Sequence, residues 1–243
     1  MSPLDRFHEA WPRGVAPSLV EHFAGAADHV APAMTLWSGA ERFASMLATA
    51  GVAPGDRLSC SHAPGIRWAQ ALVGCLMRGV VFCPNAPGAP ARAEARAHLD
   101  ALGALSVSKE RPQRVAGPAA LTFADGVTWS HDTLEGLSGS DLPSPRVGAR
   151  MCSEAPWWEP AGVATLWLGL TAGVEFHVGL TDEAVHRLGP EVVTCRPGRL
   201  SSLLDWVPVA PKGVAVIGGL PTPEDQRAAE QKGWQLASFR LPG

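Results

Sequence analysis

The sequence predicts an α/β protein of two βα-type subdomains, with mostly parallel sheets covered by helices. Three observations carry that prediction. Short apolar runs of strand type alternate with segments whose apolar residues recur at helical spacing. Gly and Pro fall repeatedly between the two kinds of segment, where the chain has to turn. The chain has 243 residues, 46% hydrophobic and 18% charged, which suffices for a sizeable core under a thin charged coat.

The elements follow in order. "WSGAERFASMLATA" (Trp37–Ala50) reads as a helix with Phe43, Met46 and Leu47 on one face and Glu41 and Arg42 off it. Gly51 is placed to end that helix, Pro54-Gly55-Asp56 to turn, and Arg57–Ser61 to run as a strand. A largely apolar second helix is expected over Gly65–Gly79, and "VVFCPNAP" as a strand running into Pro84. "ARAEARAHLDALGA" reads as a third, more exposed helix, followed by the short strand "LSVS".

After the polar connection Lys109–Pro118 a second unit is expected, so the subdomains are drawn at 1–117 and 118–243, together one compact unit. It opens with a strand at Leu121 and a helix after Ser130, with Ser130 or Asp132 available as a cap. "GLSGSDLPSPRVG" is a link. Then come a strand near 150–155, the helix "AGVATLWLGLTAG" and the strand "VEFHVGL". The helix "TDEAVHRLG", the strand "EVVTCR" and the helix "GRLSSLLDW" follow. The strand "GVAVIGG", the helix "TPEDQRAAEQKG" and the strand "WQLASFRLPG" complete the unit.

Composition excludes several classes. A net charge of −3 offers nothing to nucleic acid or an anionic membrane. No apolar stretch approaches the roughly 20 residues that span a bilayer, and the N-terminus has acids and no apolar h-region. A cytoplasmic protein is expected. The cysteines, Cys60, Cys75, Cys83, Cys152 and Cys195, form no C-x-x-C pair and read as buried free thiols, with no metal expected. Ser130-His131-Asp132 are adjacent and project differently, so they cannot form a catalytic relay. His177, His186, Glu175, Asp182 and Glu183 have no compact metal-ligand spacing.

Five stretches in order carry a resemblance. They are "TLWSGAERFASMLATAGVAPGDRL", "HAPGIRWAQALVGCLMRGVVFCPNAP", "TWSH", "SEAPWWEPAGVATLWLGLTAGVEFHV" and "AVIGGLPTPEDQRAAEQKGWQL". From Thr35 onward the chain resembles the N-terminal part of the adenylate-forming superfamily: acyl-CoA synthetases, luciferases and peptide-synthetase adenylation domains. The resemblance implies that superfamily's large-domain fold. It also implies that the backbone of Gly218, Gly219, Leu220 and Pro221 lines what is an adenine site in relatives. Read from the residues alone, the stretch is a Gly-Gly turn from strand to helix, with a nucleotide-facing backbone as the alternative. Trp157 and Trp158 fall at the family's aromatic-His pair, so with His131 they are the candidate ligand pocket; their other reading is buried structural aromatics.

The departures from the family pattern matter most. Its phosphate loop, [ST]-S-G-[ST]-T-G-x-P-K-G, should stand between the strand at Leu121 and Ser130-His131. Here only Ala124-Asp125-Gly126 separate Phe123 from Val127. Such loops hold phosphates by converging N–H groups, hydroxyls and a Lys. Losing three or four charge-assisted bonds of about 1.5–3 kcal/mol each costs on the order of 5–10 kcal/mol, more than about 10³-fold in affinity. Asp125 adds repulsion. "SFRLPG" stands in place of the stretch that supplies an adenine-stacking aromatic and a Mg²⁺ Glu, and the small C-terminal domain is absent from the sequence.

The expectation is a catalytically impaired homologue without catalytic residues, with ATP and Mg²⁺ binding lost. It would act by binding a partner protein or a small acyl or aromatic ligand. Two rival readings are a subunit of a split acyl-CoA or acyl-AMP ligase completed by a second chain, and a structural homodimerisation module.

Overall fold

The computed structural model describes residues 18–22, 28–138, 148–179, 182–205, 207, 213–239 and 241. In chain order the first elements are β1 (Ser18–Glu21), β2 (His29–Pro32), α1 (Ala33–Thr49), β3 (Arg57–Cys60), α2 (Ile66–Arg78) and β4 (Val81–Pro84). Next come β5 (Ala97–Leu99), β6 (Leu105–Val107), β7 (Ala119–Thr122), β8 (Thr128–Ser130), α3 (His131–Ser138) and β9 (Arg150–Ser153). The remainder are α4 (Pro160–Ala172), β10 (Glu175–Val178), α5 (Asp182–Leu188), β11 (Val192–Cys195), α6 (Leu200–Leu204), β12 (Val214–Gly218), α7 (Pro223–Lys232) and β13 (Gln235–Phe239). Among the described residues, no helix is long and apolar enough to cross a membrane.

The described residues 33–135 form one unit; those up to 32 and those from 136 form the other. The first unit's sheet runs β6-β5-β3-β4-β7-β8. Strands β5, β3, β4 and β7 are parallel, and the edges are closed by the antiparallel pairs β5–β6 and β7–β8. Its core sets two aromatic pairs among aliphatic side chains. Trp68 of α2 meets Phe82 of β4 edge-on at 4.9 Å, and Phe123 meets Trp129 in the same way at 4.9 Å.

The second unit's sheet runs β13-β12-β11-β9-β10-β1-β2, parallel throughout except for β1–β2. One of its packed clusters joins Cys152, Val193, Cys195 and Ala215 of the sheet to Leu200, Leu204, Ala228, Ala229 and Trp234. Helix α4 is apolar all round, as a helix buried on most sides must be. All five cysteines are buried and free, and burial pushes the Cys60, Cys152 and Cys195 thiols up to about 12.

Several expectations are corrected. The division at 117/118 does not match the sheets. Phe82 of β4 pairs with Leu121, so β7 and β8 belong to the first sheet, while β1 beside β10 takes residues 18–32 into the second. Strand partnership is decided by tertiary pairing, which sequence adjacency does not report. The helix expected over 91–104 is a turn and the strand β5 instead. There Ala95, Ala97 and Leu99 are buried at every second position, the period of a strand. Asp100 then accepts from the amides of Leu102 (2.9 Å) and Ala104 (2.8 Å), closing a tight hairpin that outweighs helix propensity. Phe43 and Leu47 are buried as expected, but Met46 is 43% exposed. The link at 139–147, Trp206, Arg240 and the last two residues lie outside the described residues.

Candidate functional site

In the second sheet the chain leaves β9 to form β10 on one side and later β11 on the other. A crevice opens at the carboxyl ends of strands where the winding reverses in this way, and open α/β sheets bind ligands there. Three short segments meet that edge: Glu154–Trp157 after β9, Arg196–Arg199 after β11, and Gly219–Thr222 after β12.

Charge is concentrated in the first two. Arg196 donates Nη2 to Glu154 Oε1 at 3.0 Å and faces Glu159 at 3.7 Å, while Arg199 donates Nε to Glu154 Oε1 at 3.3 Å. Glu154 Oε2 and Arg196 Nε are buried and have no hydrogen-bond partner among the described residues. Unsatisfied polar atoms of this kind are costly and mark a place where a further polar group is accommodated.

The third segment is built on Asp225. Thr222 caps α7 and Pro223 occupies its first turn, as both residue types favour. Asp225, fully buried, accepts from Gly198 N (2.7 Å), Leu200 N (3.2 Å), Thr222 N (2.9 Å) and Thr222 Oγ1 (2.9 Å). Burial pushes its carboxyl up, but these donors more than offset that and hold it below the usual carboxylate range. One side chain thereby ties the loop after β11 to the loop after β12.

The residues singled out from sequence fall as follows. Gly218, Gly219, Leu220 and Pro221 form the β12–α7 turn at this edge. Gly219 has φ +139°, and a Cβ there would stand 3.0 Å from Pro197 Cγ, so the turn needs glycine. Leu220 is 74% exposed. Trp157 is buried and packs edge-on against Phe176 at 5.7 Å, a core position, whereas Trp158 is half-buried. His131 belongs to the first unit, at the start of α3, where burial lowers its pKa and Asp132 opposes that. The cap of α3 is Ser130, whose Oγ accepts from Thr133 N at 3.1 Å.

The stretch that resembles phosphate-loop flanks is a β-hairpin, in which β8 stands between the strand at Leu121 and the helix after Ser130. Phe123 N donates to Val127 O (2.8 Å), Gly126 N to Phe123 O (3.1 Å) and Val127 N to Asp125 Oδ1 (3.0 Å). Behind the turn, Arg92 donates to the carbonyls of Thr122, Phe123 and Pro84 at 3.0, 3.0 and 2.8 Å, and to Asn85 Oδ1 at 2.7 Å.

Glu154, Arg196, Arg199 and Asp225 were not found from sequence. Thr222-Pro-Glu-Asp225 has the spacing of a capping box, a readable signal for Asp225, but nothing local brings Glu154 to Arg196. His177 and Glu175, named from sequence only as poorly spaced metal ligands, belong to a second cluster at β10 and the end of β1, whose other members, His22 and Asp28, the sequence did not indicate. His177, buried, places Nε2 2.6 Å from Glu175 Oε1 and Nδ1 2.8 Å from His22 Nε2, and His22 Nδ1 lies 2.9 Å from Asp28. Among the described residues, no group of three His, Cys, Asp or Glu is arranged to hold a metal ion.

No protein-family model and no curated protein matches the chain. Solved structures do. The coronafacic acid ligase of Pectobacterium brasiliense superposes with a TM-score of 0.76 at 15% identity, over 99% of this chain and 60% of the ligase. The benzoate CoA ligase of Burkholderia xenovorans gives 0.73 at 16% identity, over 99% and 60%. The N-terminal domain of FACL13 from Mycobacterium tuberculosis gives 0.75 at 16% identity, over 100% and 76%. The chain therefore has the α/β fold of the N-terminal domain of acyl-CoA and adenylate-forming ligases, and spans about 60% of the length of the two full ligases.

Proposed function

We propose that this chain is a non-adenylating homologue of those ligases, which acts by binding a small acyl or aromatic acid at the carboxyl edge of its second sheet. The observation that carries the reading is the Phe123–Val127 turn. Three of its amides are spent on hydrogen bonds within the turn, and its one ionisable side chain is an aspartate. That does not fit the phosphates of ATP, which need converging unsatisfied donors and no nearby anion. Arg92 supports the same reading, since all three of its nitrogens donate to Asn85 and to the carbonyls of Thr122, Phe123 and Pro84, which leaves that cation committed to the protein.

The ligand class follows from the crevice. Arg196 and Arg199 balance Glu154 and Glu159 in charge there, so a ligand's carboxyl group would meet the unpartnered Arg196 Nε with no net opposing charge, and half-buried Trp158 supplies aromatic surface on the segment after β9.

Two measurements test this. Pyrophosphate exchange across a panel of carboxylic acids should stay at background, and ATP-dependent acyl-adenylate formation by the chain alone would overturn the non-adenylating half. Thermal-shift titration with the same acids should raise the melting temperature for an aliphatic or aromatic subset. If none shifts it, or if Arg196→Gln leaves the shift unchanged, the binding half is wrong.

A further inference from the structure

The amino-terminal edge of the first unit's sheet, the end opposite to strand termini where such folds bind substrates, carries a cleft of about 360 Å³. It is lined by Gly51, Asp56, Arg96, Arg111, Pro112 and Arg114. Three arginines thus line the cleft with one aspartate, a local surplus of two positive charges on a chain whose net charge is −3. Like charges are not gathered on an exposed surface without cost, and Lys109 and Glu110 of the same connection cancel each other.

The one carboxylate is already committed. Asp56, 6% exposed, takes Ala53 N at 2.9 Å on Oδ2 and Arg114 Nε at 2.8 Å on Oδ1. Contact through Nε leaves both terminal nitrogens of Arg114 free of that bond. Arg96 spends one terminal nitrogen on Glu110 O at 3.2 Å. Arg111 is exposed and makes no hydrogen bond or ion pair among the described residues.

The segment that brings these groups together is anchored at several points. Ser108 N donates to Arg96 O (2.9 Å), Val115 N to Gly55 O (2.9 Å) and Arg57 Nη1 to Gln113 O (3.1 Å). It passes so close to the β3 entry turn that a Cβ on Gly55, where φ is +81°, would stand 3.0 Å from Val115 O. A connection without regular structure is therefore held in one course, and that course brings Arg111 and Arg114 to the same cleft as Arg96. The backbone that carries the arginines is thus set before a ligand arrives, and only their side chains remain to be ordered on binding.

We propose that this cleft is an anion site that recognises a phosphoryl group, whether free or borne on a small molecule. Guanidinium forks suit the geometry of phosphate oxygens, and a cleft of this volume takes a phosphoester as well as a bare phosphate. The site is separate from the carboxyl edge of the second sheet and does not depend on the function proposed there.

The experiment is isothermal titration of the full chain at low ionic strength with inorganic phosphate, adenosine 5′-monophosphate and adenosine. Saturable binding of one equivalent is expected for the two phosphates and none for adenosine. The monophosphate binding tighter assigns a phosphoester; equal affinities assign free phosphate. Arg111→Ala, which removes no contact within the fold, should weaken binding by about tenfold or more, Arg111→Lys by less, and the remote Arg42→Ala not at all. Absence of binding up to about 10 mM, or equal weakening by Arg111→Ala and Arg42→Ala, overturns the proposal. Because a nucleoside triphosphate would also be held here, ATP titration is repeated on Arg111→Ala. Binding lost in that variant belongs to this cleft, and binding that survives it counts against the non-adenylating reading alone.

Discussion

Replacing Asp225 by alanine is the sharpest probe of how the candidate crevice is held. The buried carboxylate is the acceptor for three backbone amides, those of Gly198, Leu200 and Thr222, and for the Thr222 hydroxyl. Alanine leaves the three amides without an acceptor at about 1–3 kcal/mol each, offset in part by relief of the cost of burying a charge and by water entry. A net loss of about 3–5 kcal/mol is expected, a large share of the roughly 5–15 kcal/mol that holds a domain folded. Asparagine keeps one acceptor but turns an NH₂ toward donors, so it should recover only part. Thr222→Ala removes the cap and one donor, at about 1 kcal/mol. Because the two side chains share bonds, the double mutant should fall short of the sum. Urea denaturation of the parent and the four variants measures all of this. The carboxyl's depressed pKa adds stability that is complete above its unfolded value of about 3.9 and is lost as pH falls through the lower folded value. Asp225→Asn should therefore flatten the acid limb of the stability profile. An Asp225→Ala midpoint within about 0.5 kcal/mol of the parent would refute the reasoning.

Two further outcomes are expected. Arg92→Ala strips the donor from three carbonyls and from Asn85 Oδ1, at about 3–5 kcal/mol, and Arg92→Lys should recover little because an ammonium cannot reproduce the fork; a lysine variant as stable as the parent in urea would contradict this. Burial holds the pKa of His177 below the usual histidine value although Glu175 pulls it up, so its contribution to stability is complete above pH about 6.5 and declines as pH falls below that. His177→Gln should lessen the decline in urea midpoint between pH 7 and pH 5, and an unchanged slope would remove His177 from the account.

The sequence by itself determined most of what is local. Helical spacing with glycine punctuation located α2, α4 and α7, and the apolar runs located β3, β4, β11 and β12, because those signals lie within a dozen neighbouring residues. The turn at Ala124–Gly126 was legible for the same reason: too few residues stand between Phe123 and Val127 for a phosphate loop. Tertiary structure decided what depends on partners distant in the chain. It drew β1 and β2 into the second sheet and β7 and β8 into the first. It turned Ala97–Leu99 into a strand beside β3, against the local helical pattern. It also set Glu154 against Arg196, 42 residues apart, and brought Arg111 to the same cleft as Arg96. Hydrogen bonds and burial in a sheet are shared between strands far apart in sequence, so such sites exist only once the strands have chosen their neighbours.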